Sequence, residues 1–192
     1  MTTAQPSFRY LIIGAGIQSE AVADLLLGIN TTAGVTFADR DDQALARVKR
    51  RFGKSKKYAK RTGFISADAS DIDAMAELMA LHDASIGCAS YKLNVGLTRA
   101  AIGTATHFVD LGGNDSVVAE QFALADDAKR EKSRILPDCG IAPGAAGILV
   151  RFGLGLLPSA KSVRVYCGGL PQHPVGPLKY ALFFSPTGLI NE

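Results

Sequence analysis

Residues 10–19 read Tyr-Leu-Ile-Ile-Gly-Ala-Gly-Ile-Gln-Ser, and this stretch decides the fold. A short apolar run that ends in glycine is typical of a buried strand in a parallel sheet. Helical periodicity follows at residues 18–27. Gly14 permits a tight turn, and Gly16 lets a ligand approach the backbone closely. The start of the helix offers free N–H groups and a positive dipole end, so the stretch predicts a strand, an anion-binding turn and a helix.

Strands and helices alternate along the next 120 or so residues. Apolar runs predict five further strands, at residues 34–38, 62–67, 84–89, 107–111 and 134–136. Periodic segments predict helices between them, at residues 41–51, 71–81, 95–102 and 116–129. Such alternation forms βαβ units with right-handed crossovers. The sequence therefore predicts an α/β fold, a doubly wound parallel sheet of the Rossmann type with strand order 3-2-1-4-5-6.

The character of the sequence changes near residue 139. A glycine- and proline-containing turn at 139–144 precedes an apolar segment that predicts a helix at 145–157. Alternating residues predict a strand at 162–167, and residues 179–184 form a second strand candidate beyond a proline-rich loop. We therefore divide the chain into a Rossmann domain at 1–139 and the beginning of an incomplete second α/β domain, for substrate binding or dimerisation, at 140–192.

An acidic residue, Asp39, closes the second predicted strand. In dinucleotide-binding domains an acid at this position accepts hydrogen bonds from the adenosine ribose. Its charge would repel a 2′-phosphate, which favours NAD over NADP. Arg40 follows directly, and it would either grip a 2′-phosphate, lie over the adenine or face solvent. Ser19 replaces the third glycine of the usual pattern and is small enough for close packing. The alternative is a glycine turn in a domain that binds nothing.

Composition excludes several other classes of function. The net charge of +3 is too small to indicate a nucleic-acid partner. The three cysteines are far apart, without disulfide or zinc spacing, and the histidines show no metal-ligand spacing. No signal peptide or membrane-spanning apolar run is present in the sequence. We therefore expect a cytoplasmic protein without metal, membrane or nucleic-acid partner. The basic segment at 49–61 is interpreted as a solvated helix face.

Two further acids close strands at the edge where open α/β sheets bind ligands. Asp110 ends the fifth predicted strand, and Asp138 follows the sixth. Each either contacts substrate or nicotinamide, or caps the next helix. Cys139 lies at the same edge without an adjacent activating group, so we interpret it as a small packed residue.

Six segments resemble the saccharopine dehydrogenase-like reductases, and within them the lysine 6-dehydrogenase branch. They are GAGIQSEA (14–21), ADASD (67–71), HFVDLGG (107–113), ILPDCGIAPG (135–144), GGLPQHPVGPLKY (168–180) and FSPTGLINE (184–192). The fourth and fifth are the most specific. The resemblance implies an NAD(P)-dependent enzyme that transfers a hydride at a C–N bond of a lysine-like amino acid.

The resemblance also implies roles for particular residues. The pyrophosphate would lie at Gly14, Gly16 and Gln18, with Ile17 between the last two. The remaining cofactor contacts would be the ribose at Asp39, the adenine beside Asp68 and Ala69, and the nicotinamide ribose beside Ala89 and Ser90. By location, the candidates for the general base are Asp110, Asp138, Tyr91 and Lys92.

The resemblance has consequences for the whole chain. Members of the family form homodimers through the second domain and continue past the segment that ends at Glu192. We therefore expect this chain to be truncated. The alternative function is a catalytically inactive NAD(P)-binding module or a truncated relic. Ser90, where proline is common, and Lys92, unusual after Tyr91, depart from the family at the nicotinamide end and leave the exact substrate open.

Overall fold

The computed structural model describes residues 7–29, 31–157, 159–169, 171–177 and 179. Six strands in this part of the chain form one parallel sheet: β1 (Phe8–Ile13), β2 (Ala33–Asp39), β3 (Thr62–Ser66), β4 (Ala84–Gly87), β5 (His107–Asp110) and β6 (Ile135–Leu136). Seven described α-helices connect or follow them: α1 (Ile17–Ile29), α2 (Asp42–Val48), α3 (Ile72–Ala80), α4 (Asn94–Gly103), α5 (Asp115–Phe122), α6 (Ala125–Arg130) and α7 (Ala146–Leu156).

The strand order is β3-β2-β1-β4-β5-β6, which confirms the predicted order. The order reverses between β1 and β4, where Ile12 aligns with Ile86. On its other side, β1 aligns Ile12 with Phe37 of β2. In such a sheet the crossover helices leave on opposite faces at the reversal, and a crevice opens at the carboxyl ends of the central strands.

Apolar side chains fill both faces of the sheet. On one face, Phe37 is fully buried and stacks on Phe64 at 5.7 Å between ring centroids, beside the fully buried Phe52. On the other face, Leu11 and Phe108 are fully buried against helices α3 and α4. Full burial of a side chain of this size stabilises the fold by about 1.5–3 kcal/mol. The apolar run of β1 is therefore explained by burial on both faces.

Polar residues begin the helices that leave the sheet. The Asp41 carboxylate accepts a hydrogen bond from the Gln43 N–H at 2.8 Å, and the Asp71 carboxylate accepts one from the Ala74 N–H at 3.1 Å. Asn114 caps α5 in the same way, through the Ser116 N–H at 3.0 Å. These caps satisfy N–H groups that have no partner inside the helix. Each cap therefore fixes the residue at which a loop ends and the next helix begins.

The predicted single helix at 116–129 is wrong, because the structure has two helices there, α5 and α6. Ala123 and Leu124 separate them, and Leu124 has a non-helical ψ of 7°. The break allows Leu124 to be 91% buried beside Ile102 and Ala128. Burial of this leucine thus outweighs continuous helical hydrogen bonding.

The predicted strand at 162–167 is also wrong. Residues 161–169 have no regular structure, and Val163, Val165 and Tyr166 are exposed. An alternating segment becomes a strand when another strand pairs with it and its apolar side is covered, and no described strand lies beside this one. Of the strand candidate at 179–184, all but residue 179 lies outside the described residues. The division at 139/140 stays a prediction.

The apolar helix predicted at 145–157 is present as α7. Ile148, Leu149, Phe152 and Leu156 are each at least 67% exposed on it. In the described part of the chain, every helix falls short of the length and apolarity needed for a membrane span.

Candidate functional site

A cavity of about 470 Å³ opens at the carboxyl ends of the central strands. It extends from the loop between β1 and α1, past the ends of β2 and β3, to the loop after β4. Of the ten residues predicted to hold a cofactor, eight line it: Gly14, Gly16, Asp39, Arg40, Asp68, Ala69, Ala89 and Ser90. The other two, Ile17 and Gln18, begin α1 with exposed side chains and do not line the cavity. Four loops distant in sequence therefore meet at one crevice.

Gly14 lies where the loop passes closest to β4. Its φ is +100°, and a Cβ there would lie 2.8 Å from the carbonyl carbon and oxygen of Cys88. The Gly14 N–H donates to the Ala38 carbonyl at 2.8 Å, which holds the loop against β2 as well. A side chain at this position would meet both an unfavourable backbone conformation and backbone atoms. The turn therefore requires glycine.

Gly16 has the opposite environment. A Cβ there would meet no atom within 4 Å, so open space lies beside the backbone where α1 begins. Ser19 is fully buried, and its hydroxyl donates to the Gly16 carbonyl at 2.6 Å. The first N–H groups of a helix have no partner inside the helix and favour anions. A bare backbone, open space and a helix start together fit the pyrophosphate of a dinucleotide.

The Asp39 carboxylate joins the end of β2 to this loop. It accepts hydrogen bonds from the Ala15 N–H at 2.6 Å and from the Asp41 N–H at 2.9 Å. A carboxylate offers about four acceptor positions, so two remain for further donors such as ribose hydroxyls. Asp39 also lines the cavity. Its position suits both a structural contact and a ligand contact.

Arg40 and Asp68 form an ion pair at the rim of the cavity, with 3.3 Å between Nη1 and Oδ2. Both side chains are well exposed, at 73% and 43%. Hydrogen bonds from the Ser70 N–H and hydroxyl to Asp68 hold the pKa of that carboxyl below its usual value, and Arg40 lowers it further. Three orientations were considered for Arg40. In the structure its side chain faces solvent and forms an ion pair with Asp68. Sequence reasoning missed Ser70, although serine two residues after aspartate is typical of an Asx turn.

The other end of the cavity lies after β4. Ala89 and Ser90 line it, as do Lys92 and Leu93 of the short helical turn that follows. Tyr91 does not, because its ring packs against the loop after β5, where a Cβ on Gly113 would lie 3.2 Å from it. The structure therefore separates Tyr91 from the cavity lining, while its two neighbours in sequence face the cavity.

Asp110 is fully buried and does not line the cavity. Its Oδ1 accepts hydrogen bonds from the Gly112 N–H at 2.8 Å and the Asp138 N–H at 3.2 Å. Its Oδ2 accepts one from the Gln121 side-chain amide at 2.7 Å. Three N–H donors replace the water that a buried carboxylate loses. Asp110 thus joins the loops after β5 and β6, and sequence reasoning missed Gln121 because no local pattern marks this contact.

Asp138 lies over the loop after β5, since a Cβ on Gly112 would collide with its carboxylate. Its φ is +63°, unusual for a residue with a side chain. Partial burial raises the pKa of Asp138, the charges of Asp110 and Asp115 raise it further, and a hydrogen bond from Gly113 opposes the change. A raised pKa is a property of carboxyl groups that transfer protons near neutral pH. Asp138 and Tyr91 both contact the loop at 112–113, and neither lines the cavity.

The cysteines near the site are not activated thiols. Burial raises the pKa of the Cys88 thiol to about 12. Burial and the charges of Asp110 and Asp138 also raise the pKa of Cys139. The prediction that Cys139 is packed is wrong, because its side chain is exposed in a loop after the short edge strand β6. Among the described residues, no group of three or more His, Cys, Asp and Glu is arranged to hold a metal ion.

Comparison with known proteins gives a family match at the level of sequence. The saccharopine dehydrogenase NADP binding domain matches residues 10–136, which is the part of the chain that forms the sheet and the cavity.

Solved structures share the fold at low sequence identity. Saccharopine dehydrogenase (L-Glu forming) from Saccharomyces cerevisiae is 23% identical with a TM-score of 0.74, over 96% of this chain and 40% of that one. An NAD binding oxidoreductase from Klebsiella pneumoniae is 16% identical with a TM-score of 0.53, over 78% and 39%. The WlbA dehydrogenase from Chromobacterium violaceum, solved with NADH and UDP-GlcNAcA, is 16% identical with a TM-score of 0.51, over 71% and 37%. The chain thus spans about 40% of the length of each of these structures.

Proposed function

This chain belongs to the saccharopine dehydrogenase NADP binding domain family, and on that premise we propose that it holds NAD or NADP for hydride transfer at a C–N bond of a lysine-like amino acid. The observation that carries the proposal is the Gly14–Gly16 turn, tight on one side and open on the other, at the end of a cavity of about 470 Å³. That volume lies within the range of about 300–1,000 Å³ found for small-molecule sites.

In this proposal the dinucleotide lies along the carboxyl edge of the sheet. The pyrophosphate contacts the backbone at Gly14, Gly16, Ile17 and Gln18. Asp39 binds the adenosine ribose, while Asp68 and Ala69 border the adenine. Ala89 and Ser90 lie beside the nicotinamide ribose. The strand order β3-β2-β1-β4 supports this direction, because Asp68, Asp39, Gly14 and Ala89 lie at or just after the ends of these four strands in turn.

We propose that NAD is preferred and that NADP is the alternative. The Asp39 carboxylate would repel a 2′-phosphate. The neighbouring cation that would attract one, Arg40, already has a carboxylate partner in Asp68. The matching family is named for NADP binding, so titration with both NADH and NADPH is needed to decide between them.

A nicotinamide cofactor held in this cavity would supply the hydride chemistry, as acceptor from carbon or as donor to it. Oxidation of an amine carbon also releases a proton from nitrogen, and the protein must accept it. We propose Asp138 or Tyr91 for this step, since both contact the loop at 112–113 and Tyr91 directly follows Ser90 of the cavity lining. Asp110, the third candidate, is better suited to positioning, because three N–H donors already occupy its carboxylate. Lys92 lines the cavity and would orient a substrate carboxylate.

The second candidate is an NAD(P)-binding module without catalysis. It is favoured by the lining of the cavity, which includes none of the three candidates for proton transfer, Asp110, Asp138 and Tyr91. An amino-acid substrate, a homodimer and a cytoplasmic location all remain predictions.

A steady-state assay separates the two functions. The purified chain is incubated with NAD or NADP and either L-lysine or saccharopine, and reduced cofactor is followed by absorbance. Turnover with one amino acid, abolished in a Gly16→Val variant, supports the dehydrogenase. Saturable cofactor binding without turnover supports the binding module, and absence of binding rejects both.

A further inference from the structure

Ala15, in the loop between β1 and α1, is fully buried, and its backbone N–H and carbonyl each form a hydrogen bond with a side chain. Its N–H donates to Asp39 at 2.6 Å, as described above. Its carbonyl accepts a hydrogen bond from Nη2 of Arg47, also at 2.6 Å. Arg47 lies on α2 and is 32 residues further along the chain than Ala15. A charged donor at this distance makes one of the stronger hydrogen bonds in proteins.

Arg47 is itself held in place by Glu20 on α1, with 2.9 Å between Nε and the carboxylate. The Glu20 side chain is only 14% exposed. Its second oxygen accepts a hydrogen bond from Arg51 at 2.6 Å. The Arg51 hydrogen bond lowers the pKa of Glu20, burial opposes this, and Arg47 lowers it further, so the carboxylate is charged at neutral pH. The guanidinium of Arg47 is thus aimed at the loop by a fixed counter-charge.

The geometry of the peptide group makes this contact relevant to the cavity. The Ala15–Gly16 peptide is planar and trans, so its carbonyl and its N–H point in opposite directions. When Arg47 holds the Ala15 carbonyl, the Gly16 N–H is directed away from Arg47. Gly16 lines the cavity, whereas Arg47 does not. Arg47 therefore contacts the backbone of the loop and does not itself line the cavity.

We propose that Arg47 is a positioning residue for the dinucleotide, which orients the Gly16 N–H toward the pyrophosphate by fixing the Ala15 carbonyl. The inference rests on the proposed cofactor binding and adds a residue that does not touch the cofactor. The competing explanation is that Arg47 merely links α1 to α2.

Arg51 supplies the matched control. It binds the same Glu20 carboxylate as Arg47 and also pairs with Asp24, and among the described residues its side-chain hydrogen bonds are to these two carboxylates and not to the loop. An Arg51→Gln variant therefore removes helix-to-helix ion pairs without releasing the Ala15 carbonyl. Arg47→Gln removes one such pair and the loop contact together.

The test compares the two variants with wild type in the full chain, by fluorescence titration with NADH and by thermal unfolding. We expect Arg47→Gln to weaken NADH binding about tenfold, equivalent to about 1.4 kcal/mol, and Arg51→Gln to change it less than about twofold. Both should unfold within a few degrees of each other. Arg47→Lys, which keeps a charged donor, should recover part of the lost affinity.

The outcomes are distinguishable. Equal losses of affinity in Arg47→Gln and Arg51→Gln, or no loss in either, would overturn the positioning role while leaving cofactor binding intact. Failure of the wild-type chain to bind NADH or NADPH would overturn the proposed function and this inference with it. If Arg47→Gln does not fold, Arg47→Lys against Arg51→Lys makes the same comparison, and equal affinities there would overturn the inference.

Discussion

Gly14 and Gly16, in the loop between β1 and α1, should respond oppositely to substitution by alanine. In Gly14→Ala, the new methyl group would lie 2.8 Å from the backbone carbonyl of Cys88 and 2.9 Å from the Ala89 nitrogen. Backbone atoms cannot rotate away from it as a side chain does, so the loop or β4 must shift. In Gly16→Ala, the methyl group would meet nothing within 4 Å.

The size of the Gly14 effect follows from two costs. A φ of +100° is unfavourable for alanine, and left-handed backbone costs a non-glycine residue about 1–2 kcal/mol. Forcing a methyl group into a closely packed site costs about 1–3 kcal/mol more. Together they give a loss of about 2–5 kcal/mol, against a total stability of about 5–15 kcal/mol for a typical domain. At about 2–4 °C per kcal/mol, Tm should fall by about 4–20 °C.

The Gly16→Ala substitution should instead change the affinity for NADH. Replacing glycine by alanine at an unstrained position leaves stability unchanged or raises it by up to about 1 kcal/mol. The methyl group would, however, occupy the space through which a pyrophosphate approaches the backbone. We therefore expect NADH binding at least about tenfold weaker, a change of about 1.4 kcal/mol or more.

Thermal unfolding followed by circular dichroism, together with NADH titration of both variants, tests this reasoning. Each variant serves as the control for the other. A Gly14→Ala protein as stable as wild type would refute the close approach of the loop to β4. A Gly16→Ala protein that binds NADH normally would refute the assignment of the open side to the pyrophosphate.

Asp39→Asn should weaken NADH binding about tenfold and NADPH binding less, because the charge that repels a 2′-phosphate is removed; parallel titrations measure the change in their ratio. Gln121→Leu should destabilise the fold by about 1–3 kcal/mol in urea unfolding, since the buried carboxylate of Asp110 loses a donor. Glu20→Gln should be less stable than wild type at pH 7. Because folding lowers the pKa of Glu20 through its hydrogen bonds with Arg51 and Arg47, this difference should shrink as the pH falls below the ordinary pKa of 4.5 and disappear below the lowered pKa of the folded protein.

Each of these three predictions has an outcome that would contradict it. Equal loss of NADH and NADPH affinity in the Asp39 variant would show that its charge does not discriminate between them. A Gln121 variant with unchanged stability would mean that water replaces the amide donor at Asp110. A difference between Glu20→Gln and wild type that does not decrease as the pH is lowered would mean that the ion pairs with Arg47 and Arg51 do not cause it.

Local patterns were sufficient to predict the sheet and the part of the cavity at Gly14, Gly16 and Asp39. Residues 10–19 combine a strand, a glycine turn and a helix within one short segment, and the right-handed crossover rule orders the remaining strands. Because the carboxyl ends of parallel strands share one edge, Asp39 was expected beside the loop. Four further lining residues, Asp68, Ala69, Ala89 and Ser90, were predicted from the family resemblance and not from local patterns.

Contacts between distant segments were not predictable in this way. Arg47 reads as one more cation on a polar helix, and its bond to the Ala15 carbonyl depends on how α2 packs. Likewise, the hydrogen bond from Gln121 to Asp110 depends on how α5 packs in three dimensions. The break at Leu124 and the absent strand at 162–167 were missed for a related reason. The helix break depends on burial and the absent strand on strand pairing, and the periodicity of the sequence shows neither burial nor pairing.

The most direct test of the central claim is a fluorescence titration of the purified chain with NADH and with NADPH, beside the Gly16→Ala variant. The account predicts saturable binding, tighter for NADH than for NADPH, that the variant weakens at least about tenfold. If neither cofactor binds the wild-type chain, or if the variant binds as well as wild type, the cavity at Gly14 and Gly16 is not a dinucleotide site.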